Sequence, residues 1–169
     1  MEPIKLHFEY TEADYQEFLL NYFWKNQSRL YLLLLLFVFI VLFFTFKGSF
    51  LSPEFLLSCM LPVTMMIALW WGVMRFSGRR SFQMNLQFQE PRTGQIDPEK
   101  ISITGQTFST DFMWAGVQNV EETRNLFLVY NSKANAVLLP KRAFSPTQLG
   151  DFKKIVSEVP GLAFAWQRK

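Results

Sequence analysis

Leu30–Phe46, LYLLLLLFVFIVLFFTF, and Phe55–Met74, FLLSCMLPVTMMIALWWGVM, contain none of the chain's 17 basic and 14 acidic residues and not its single histidine. At about 1.5 Å per residue, a helix over the first run is about 26 Å long and over the second about 30 Å, against a hydrocarbon core of about 30 Å. The two runs predict a pair of membrane-spanning helices joined by the short segment Lys47–Glu54. A helix that is apolar all round needs lipid or a large core to cover it, and the rest of a 169-residue chain is too small to wrap two of them. The first run begins behind a patterned segment, and no small-residue cleavage site follows Phe46, so it is expected to be retained rather than removed as a leader.

Charge sets the expected orientation. Lys25 and Arg29 precede the first span, Arg75, Arg79, Arg80 and Arg92 follow the second, and the connecting segment has only Lys47. Basic residues collect on the cytoplasmic side, so both termini are expected there. Tyr22, Trp24, Tyr31, Trp70 and Trp71 would form an aromatic belt at the same interface. With no ionisable group in either span, a transporter or pump is disfavoured. Pro62 should kink the second span, with Thr64 or Ser58 easing the freed carbonyl. Ala68 and Gly72 form a small-xxx-small pair that would admit close contact with the other span or with a second copy. Cys59, the only cysteine, is expected to serve packing. The average composition, 50% apolar and 18% charged, decides little by itself; the clumping of apolar residues into the two runs excludes disordered, collagen-like and disulfide-rich classes and disfavours a purely soluble domain.

Outside the spans the chain reads as one α+β unit. Ile4, Leu6, Phe8 and Tyr10 alternate with polar residues, the period of a half-buried strand. Thr11 opens T-x-x-D, a weak capping box, and Tyr15, Phe18, Leu19, Tyr22 and Phe23 fall on one helix face that should run on into the membrane. The short N-terminal strand needs partners from beyond the second span. Phe82, Met84, Leu86 and Phe88 alternate with polar residues and predict a strand, ended by turns at Glu90–Gly94 and Asp97–Pro98. Ile101 and Ile103, a Gly105–Gln106 turn, and Phe108, Phe112 and Trp114 follow. Asn125–Tyr130 and Ala136–Leu139 read as a hairpin around Asn131–Asn135. Ser145, Pro146 and Gln148 start a final helix as a capping box, whose buried stripe is Leu149, Phe152, Ile155, Val156 and Val159, and Pro160–Gly161 stops it. The expected units are an N-terminal strand and amphipathic helix at 1–29, a transmembrane hairpin at 30–74, a cytoplasmic domain at 81–159 and a tail at 160–169.

The block from about residue 97 to 152 carries a resemblance. The Ile101-x-Ile103 strand, Trp114 followed by Val117 and Val120, the strand Phe127–Tyr130 and above all Leu139-Pro140-Lys141-Arg142-Ala143-Phe144 are similar to the YcxB-like family of small bacterial membrane proteins. The resemblance implies a bacterial inner membrane and a pleckstrin-homology-like (PH-like) fold for the cytoplasmic part: an antiparallel sheet capped by the C-terminal helix, with the N-terminal strand joining the sheet. It implies no established activity and no catalytic residue.

Chemistry is sparse. One histidine, His7, on the polar face of a strand, and one cysteine in a span cannot build a zinc site. Glu121 and Glu122 point apart if extended and make no facing acid–base pair. Ser145 is a helix cap without a base partner, and no nucleophile-elbow, Walker A or dinucleotide fingerprint occurs. No catalytic residue, cofactor or metal is therefore expected, and nucleic acid is a poor fit to a net charge of +3. Arg75, Arg79 and Arg80 leave the membrane together; with Lys141 and Arg142 folded back beside them they would be five cations, enough to hold the domain on anionic headgroups. Trp114 is expected in the core. The leading expectation is a non-enzymatic membrane protein whose cytoplasmic domain binds a protein segment or lipid headgroups, with the bilayer and a protein partner or homodimer as its contacts. The alternatives are an immunity-type protein against a membrane-acting toxin and, disfavoured, a small membrane-anchored enzyme.

Overall fold

A computed structural model describes residues 3–45, 53–132 and 135–166. It is α+β, with four α-helices and two small sheets. Most of the expected connection Lys47–Glu54, the middle of the Asn131–Asn135 turn and the last three residues lie outside the described residues, as does the side chain of Cys59.

Strand β1 (Ile4–Phe8) buries Ile4, Leu6 and Phe8 and exposes Lys5 and His7, as its alternation requires. Thr11 then caps α1 (Glu12–Asn26): its hydroxyl accepts from the Asp14 amide while the Asp14 carboxylate accepts from the Thr11 amide, so the T-x-x-D box closes in both directions. α1 does not run straight on. The chain bends by 65° at Gln27 before α2 (Ser28–Thr45), where Lys25, Asn26, Gln27 and Ser28 put polar side chains and a non-ideal backbone between two apolar faces. α3 (Pro53–Met84) is 32 residues long. α1 packs antiparallel along its last turns: Phe23 meets Trp70 with ring centroids 4.7 Å apart, Tyr15 meets Phe82, and Gly78 is close enough to Leu19 that an added Cβ would sit 3.2 Å from it. Pro62 lies inside α3, which continues through it, and Thr64 Oγ1 donates to the Met60 and Leu61 carbonyls.

Among the described residues one helix is long and apolar enough to cross a membrane, over Met60–Met84 of α3; α1 and α2 together pass only as a bent pair. Leu32, Leu33, Leu36, Phe37 and Phe39 on α2 and Met60, Leu61, Met65, Leu69 and Val73 on α3 are exposed, an apolar surface far beyond what a water-facing helix carries.

The strand expected over Phe82–Phe88 is not formed. Phe82 and Met84 belong to the end of α3, and Leu86–Gln89 is a 3-10 turn. Of the four apolar residues only Phe82 and Phe88 pack on the core, stacking on one another and on Tyr15, while Met84 and Leu86 are exposed. The second strand is instead β2 (Arg92–Ile96), in the stretch read as a turn. It is followed by β3 (Lys100–Thr104) and β4 (Ser109–Met113), and the first sheet has the order β1-β2-β3-β4, antiparallel throughout. β1 pairs with β2 from Ile4 opposite Ile96 to Phe8 opposite Arg92, so the N-terminal strand does find its partner beyond α3. Gly94 faces Leu6 and Phe8 so closely that a Cβ would come within 3.3 Å of the Phe8 ring.

The second sheet, β7-β6-β5-β8, joins β5 (Asn119–Glu122), β6 (Leu126–Tyr130) and β7 (Ala136–Pro140) with a short last strand, β8 (Ala163–Ala165). All of β6 is buried. β8 pairs in parallel with β5 inside the stretch read as a tail. α4 (Pro146–Glu158) starts on the Ser145–Gln148 capping box, and its Phe152, Ile155 and Val156 close the core between the sheets. Trp114 is buried there too, its indole N–H donating to the Asp97 carbonyl at 2.8 Å. After α4, Gly161 takes φ +74°, a backbone that L side chains rarely adopt.

Candidate functional site

The five cations singled out from the sequence divide into two groups. Arg142 reaches back to α1. Its guanidinium donates to both carboxylate oxygens of Asp14 at 2.7 and 2.6 Å and to the Glu9 carbonyl at 2.7 Å, a bidentate fork of the kind arginine is built to make. Asp14 is only 3% exposed. Burial would raise its pKa, but the hydrogen bonds from Arg142 and Thr11 outweigh it and hold the carboxyl below its ordinary value. Lys141 lies beside β5: its ammonium is 2.9 Å from Glu122 and donates to the Thr123 carbonyl at 2.6 Å. Lys153 of α4 holds the other Glu122 oxygen at 2.8 Å. Glu122 too is resistant to protonation, the bonds from Lys153 and Lys141 exceeding the upward push of burial.

Arg75, Arg79 and Arg80 are exposed on the last turns of α3. Arg75 lies over the Trp71 ring, 5.4 Å from its centroid, and Arg79 is 3.7 Å from Glu12. Arg79 and Arg142 thus approach the same first turn of α1 through Glu12 and Asp14, but Lys141 does not join them: it sits with Glu122 and Lys153. The single five-cation surface is not assembled. Lys141 and Arg142 fasten the fold, and Arg80 makes no ion pair with any described residue.

α1 is the fastener between α3 and the sheets. Glu17 accepts from the backbone and side-chain amides of Asn125 at 2.9 and 2.8 Å. Asn21 donates to Glu121 at 3.0 Å and lies 3.3 Å from the Tyr130 hydroxyl, and Lys25 pairs with Glu121. Glu121 and Glu122 therefore do point apart, one to α1 and one to Lys141 and Lys153. His7 is exposed, 3.5 Å from Thr93 Oγ1. Among the described residues no group of three potential metal ligands converges.

Arg92, in the sequence only one more charge flanking the second span, is a site residue that no local pattern marks. On β2 it shares the inward face with Gly94 and Ile96 and is 8% exposed. The signal was present only once residues 92–96 are set as a strand, which places 92 and 96 in phase. It lines a cavity of about 390 Å³ between β4 and β7.

The architecture is an α+β domain carried on a long apolar helix, with a first strand that precedes the helices in the chain and joins one sheet with the strands that follow them. Residues 96–156 match the family model described as YcxB-like protein, the family resembled by the Trp114 and Pro140–Phe144 block. The match runs from the last residue of β2 into α4, so β1 and most of β2, which complete the first sheet, lie outside it. No curated protein and no solved structure matches the chain.

Proposed function

We propose that this is a non-enzymatic protein of the bacterial inner membrane, in which α2 and the first part of α3 form a two-span hairpin and a PH-like cytoplasmic domain binds an extended segment of a partner protein. The observation that carries the binding mode is β4. Among the described residues it is an edge strand hydrogen-bonded only to β3, with Thr110, Asp111 and Met113 exposed, and an open edge presents main-chain donors and acceptors to an added strand.

The topology draws support from the pairing of β1 with β2. The strand before α2 and the strand after α3 are in register in one sheet, so the chain returns to the side it left, which suits two crossings. Lys25, Arg29, Arg75, Arg79 and Arg80 lie toward that end, as a cytoplasmic face requires. PH-likeness rests on the order of elements, four antiparallel strands, then three more, then a capping helix. Because α1 packs on α3 and hydrogen-bonds to residues of β5 and β6 and to Asn125, the β4 edge is presented at a fixed attitude to the bilayer.

A photo-crosslinking residue at Met113, compared with one at exposed Lys154 on α4, tests the reading in intact bacterial membranes. A protein adduct formed from position 113 and absent from position 154 is expected. Only lipid or self-adducts at 113, or the same adducts from both positions, would overturn it.

A further inference from the structure

We propose that the cavity between the free edges of the two sheets binds a monoanionic carboxylate carried on an apolar body, with Arg92 as its counter-ion. β4 is the last strand of the first sheet and β7 the outer strand of the second, and the cavity of about 390 Å³ opens between them. That volume lies in the range of about 300–1,000 Å³ typical of small-molecule sites.

Arg92 is a buried cation that makes no direct ion pair among the described residues, its charge being felt only at a distance by Glu90 and against the neutral Tyr10 hydroxyl. Its guanidinium carbon lies 4.3 Å from the centroid of the Tyr10 ring, 4.7 Å from Phe108 and 5.7 Å from Phe88. One terminal nitrogen donates to the Gln87 carbonyl, and the buried Nε has no partner among the described residues. The nearby carboxylate of Glu90 is engaged elsewhere, accepting from the Gln106 and Thr107 amides at 2.9 and 3.0 Å and from the Thr107 hydroxyl at 2.6 Å. Aromatic faces attract a cation but do not neutralise it, and a charge taken out of water is costly unless paired. Tyr10 does not provide the missing charge: burial pushes its hydroxyl up to about 12, and it donates to the Leu138 carbonyl at 2.7 Å.

The lining selects the ligand. Among the described residues that line it Arg92 is the only charged one; Phe88, Phe108, Phe112, Ile103 and Val137 give it an apolar side, and Asn85, Gln87, Thr110 and Asn135 add neutral polar groups. One guanidinium balances one negative charge. A phosphate monoester brings about 1.5 to 2 at neutral pH and would leave an excess, whereas a carboxylate matches the charge and the planar geometry of arginine. The source is either a medium-chain acyl acid or the C terminus of a polypeptide with an apolar last residue. Both readings use the β4 edge, since Thr110 and Phe112 line the cavity, but their tests separate them: crosslinking at Met113 can fail while a small acid still binds.

Calorimetry on the full chain in lipid nanodiscs, against empty nanodiscs, tests it with 4-phenylbutyrate as probe. Saturable binding is expected, at least tenfold weaker for the neutral 4-phenylbutanol and for Arg92→Gln, and not displaced by inorganic phosphate. Ala136→Trp, which fills the cavity from β7 and keeps Arg92, should abolish binding while the circular dichroism melt stays cooperative; it stands in if Arg92→Gln fails to fold. Octanoate binding more tightly than a tetrapeptide ending in Phe assigns an acyl acid, and the reverse order assigns a polypeptide terminus. Non-saturable uptake, equal binding of the alcohol, or binding of the C-terminally amidated peptide as tight as that of the free acid overturns the proposal.

Discussion

Two groups of cations, one carried by the sheet domain and one by α3, differ in what they meet. In the sheet domain, Arg142 and Lys141 are anchored on Asp14 and Glu122, carboxylates that are 3% and 10% exposed in their side chains. On the helix, Arg75, Arg79 and Arg80 sit on exposed turns of α3, with one long contact to Glu12 and one ring contact. Equal charges in the sequence are thus unequal in the fold. Removing a cation from a buried carboxylate strands the carboxylate; removing one from an exposed turn returns a helix surface to solvent.

The sharpest separation between the clusters comes from Asp14→Asn. It leaves Arg142 without its fork and should cost about 3 kcal/mol, near the low end for breaking a buried pair because Arg142 itself is half exposed. Urea unfolding of the detergent-solubilised chain, followed by circular dichroism, measures it, and a loss no larger than that of Arg80→Ala would erase the distinction. Acid should act in the same direction. Asp14 and Glu122 have folded pKa values below their unfolded ones, so the stability they contribute is complete above the ordinary carboxylate range near pH 4 and is lost as pH falls through the lower folded values. Asp14→Asn should therefore flatten the stability profile below about pH 4 while leaving its neutral limb unchanged in shape. Next in size is Glu122→Gln, which leaves Lys141 and Lys153 facing a neutral amide and should cost about 2 kcal/mol. Thr11→Ala, which removes the hydroxyl that accepts from the Asp14 amide at the start of α1, should cost about 1 kcal/mol.

How much of this was legible follows from the range over which each signal acts. β1, the two capping boxes, the β6–β7 hairpin and the stripe of α4 are local patterns, and each formed where its residues placed it. β2 was not legible because Arg92, Thr93 and Gly94 read as a turn, while the period-two alternation of Phe82 to Phe88 suggested a strand. The helix of α3 prevails there because α1 packs along it, and Phe82 and Phe88 still reach the core through a helix end and a 3-10 turn. β8 is three residues long and is held only by β5, too short to leave a pattern. The site was less legible than the fold. Arg142 and Asp14 are 128 positions apart, so nothing in their neighbourhoods announces that they meet, and Arg92 becomes an inward-facing residue only after β2 is placed.

The smallest expected effect is on α3. Arg75→Ala or Arg80→Ala should change unfolding stability by no more than about 0.5 kcal/mol, the ordinary range for exposed positions, since neither holds a buried carboxylate. What the pair should change is placement in the bilayer. If α2 and α3 span it, Arg75, Arg79 and Arg80 are most of the positive charge on the returning side, and replacing all three by alanine should let a fraction of chains insert the other way round. Protease accessibility of a tag after Lys169, in spheroplasts and in inverted vesicles, reads the orientation directly. A triple variant that keeps its orientation and loses stability by several kcal/mol would mean that these arginines, like Arg142, hold the fold, and the contrast between the two groups would collapse.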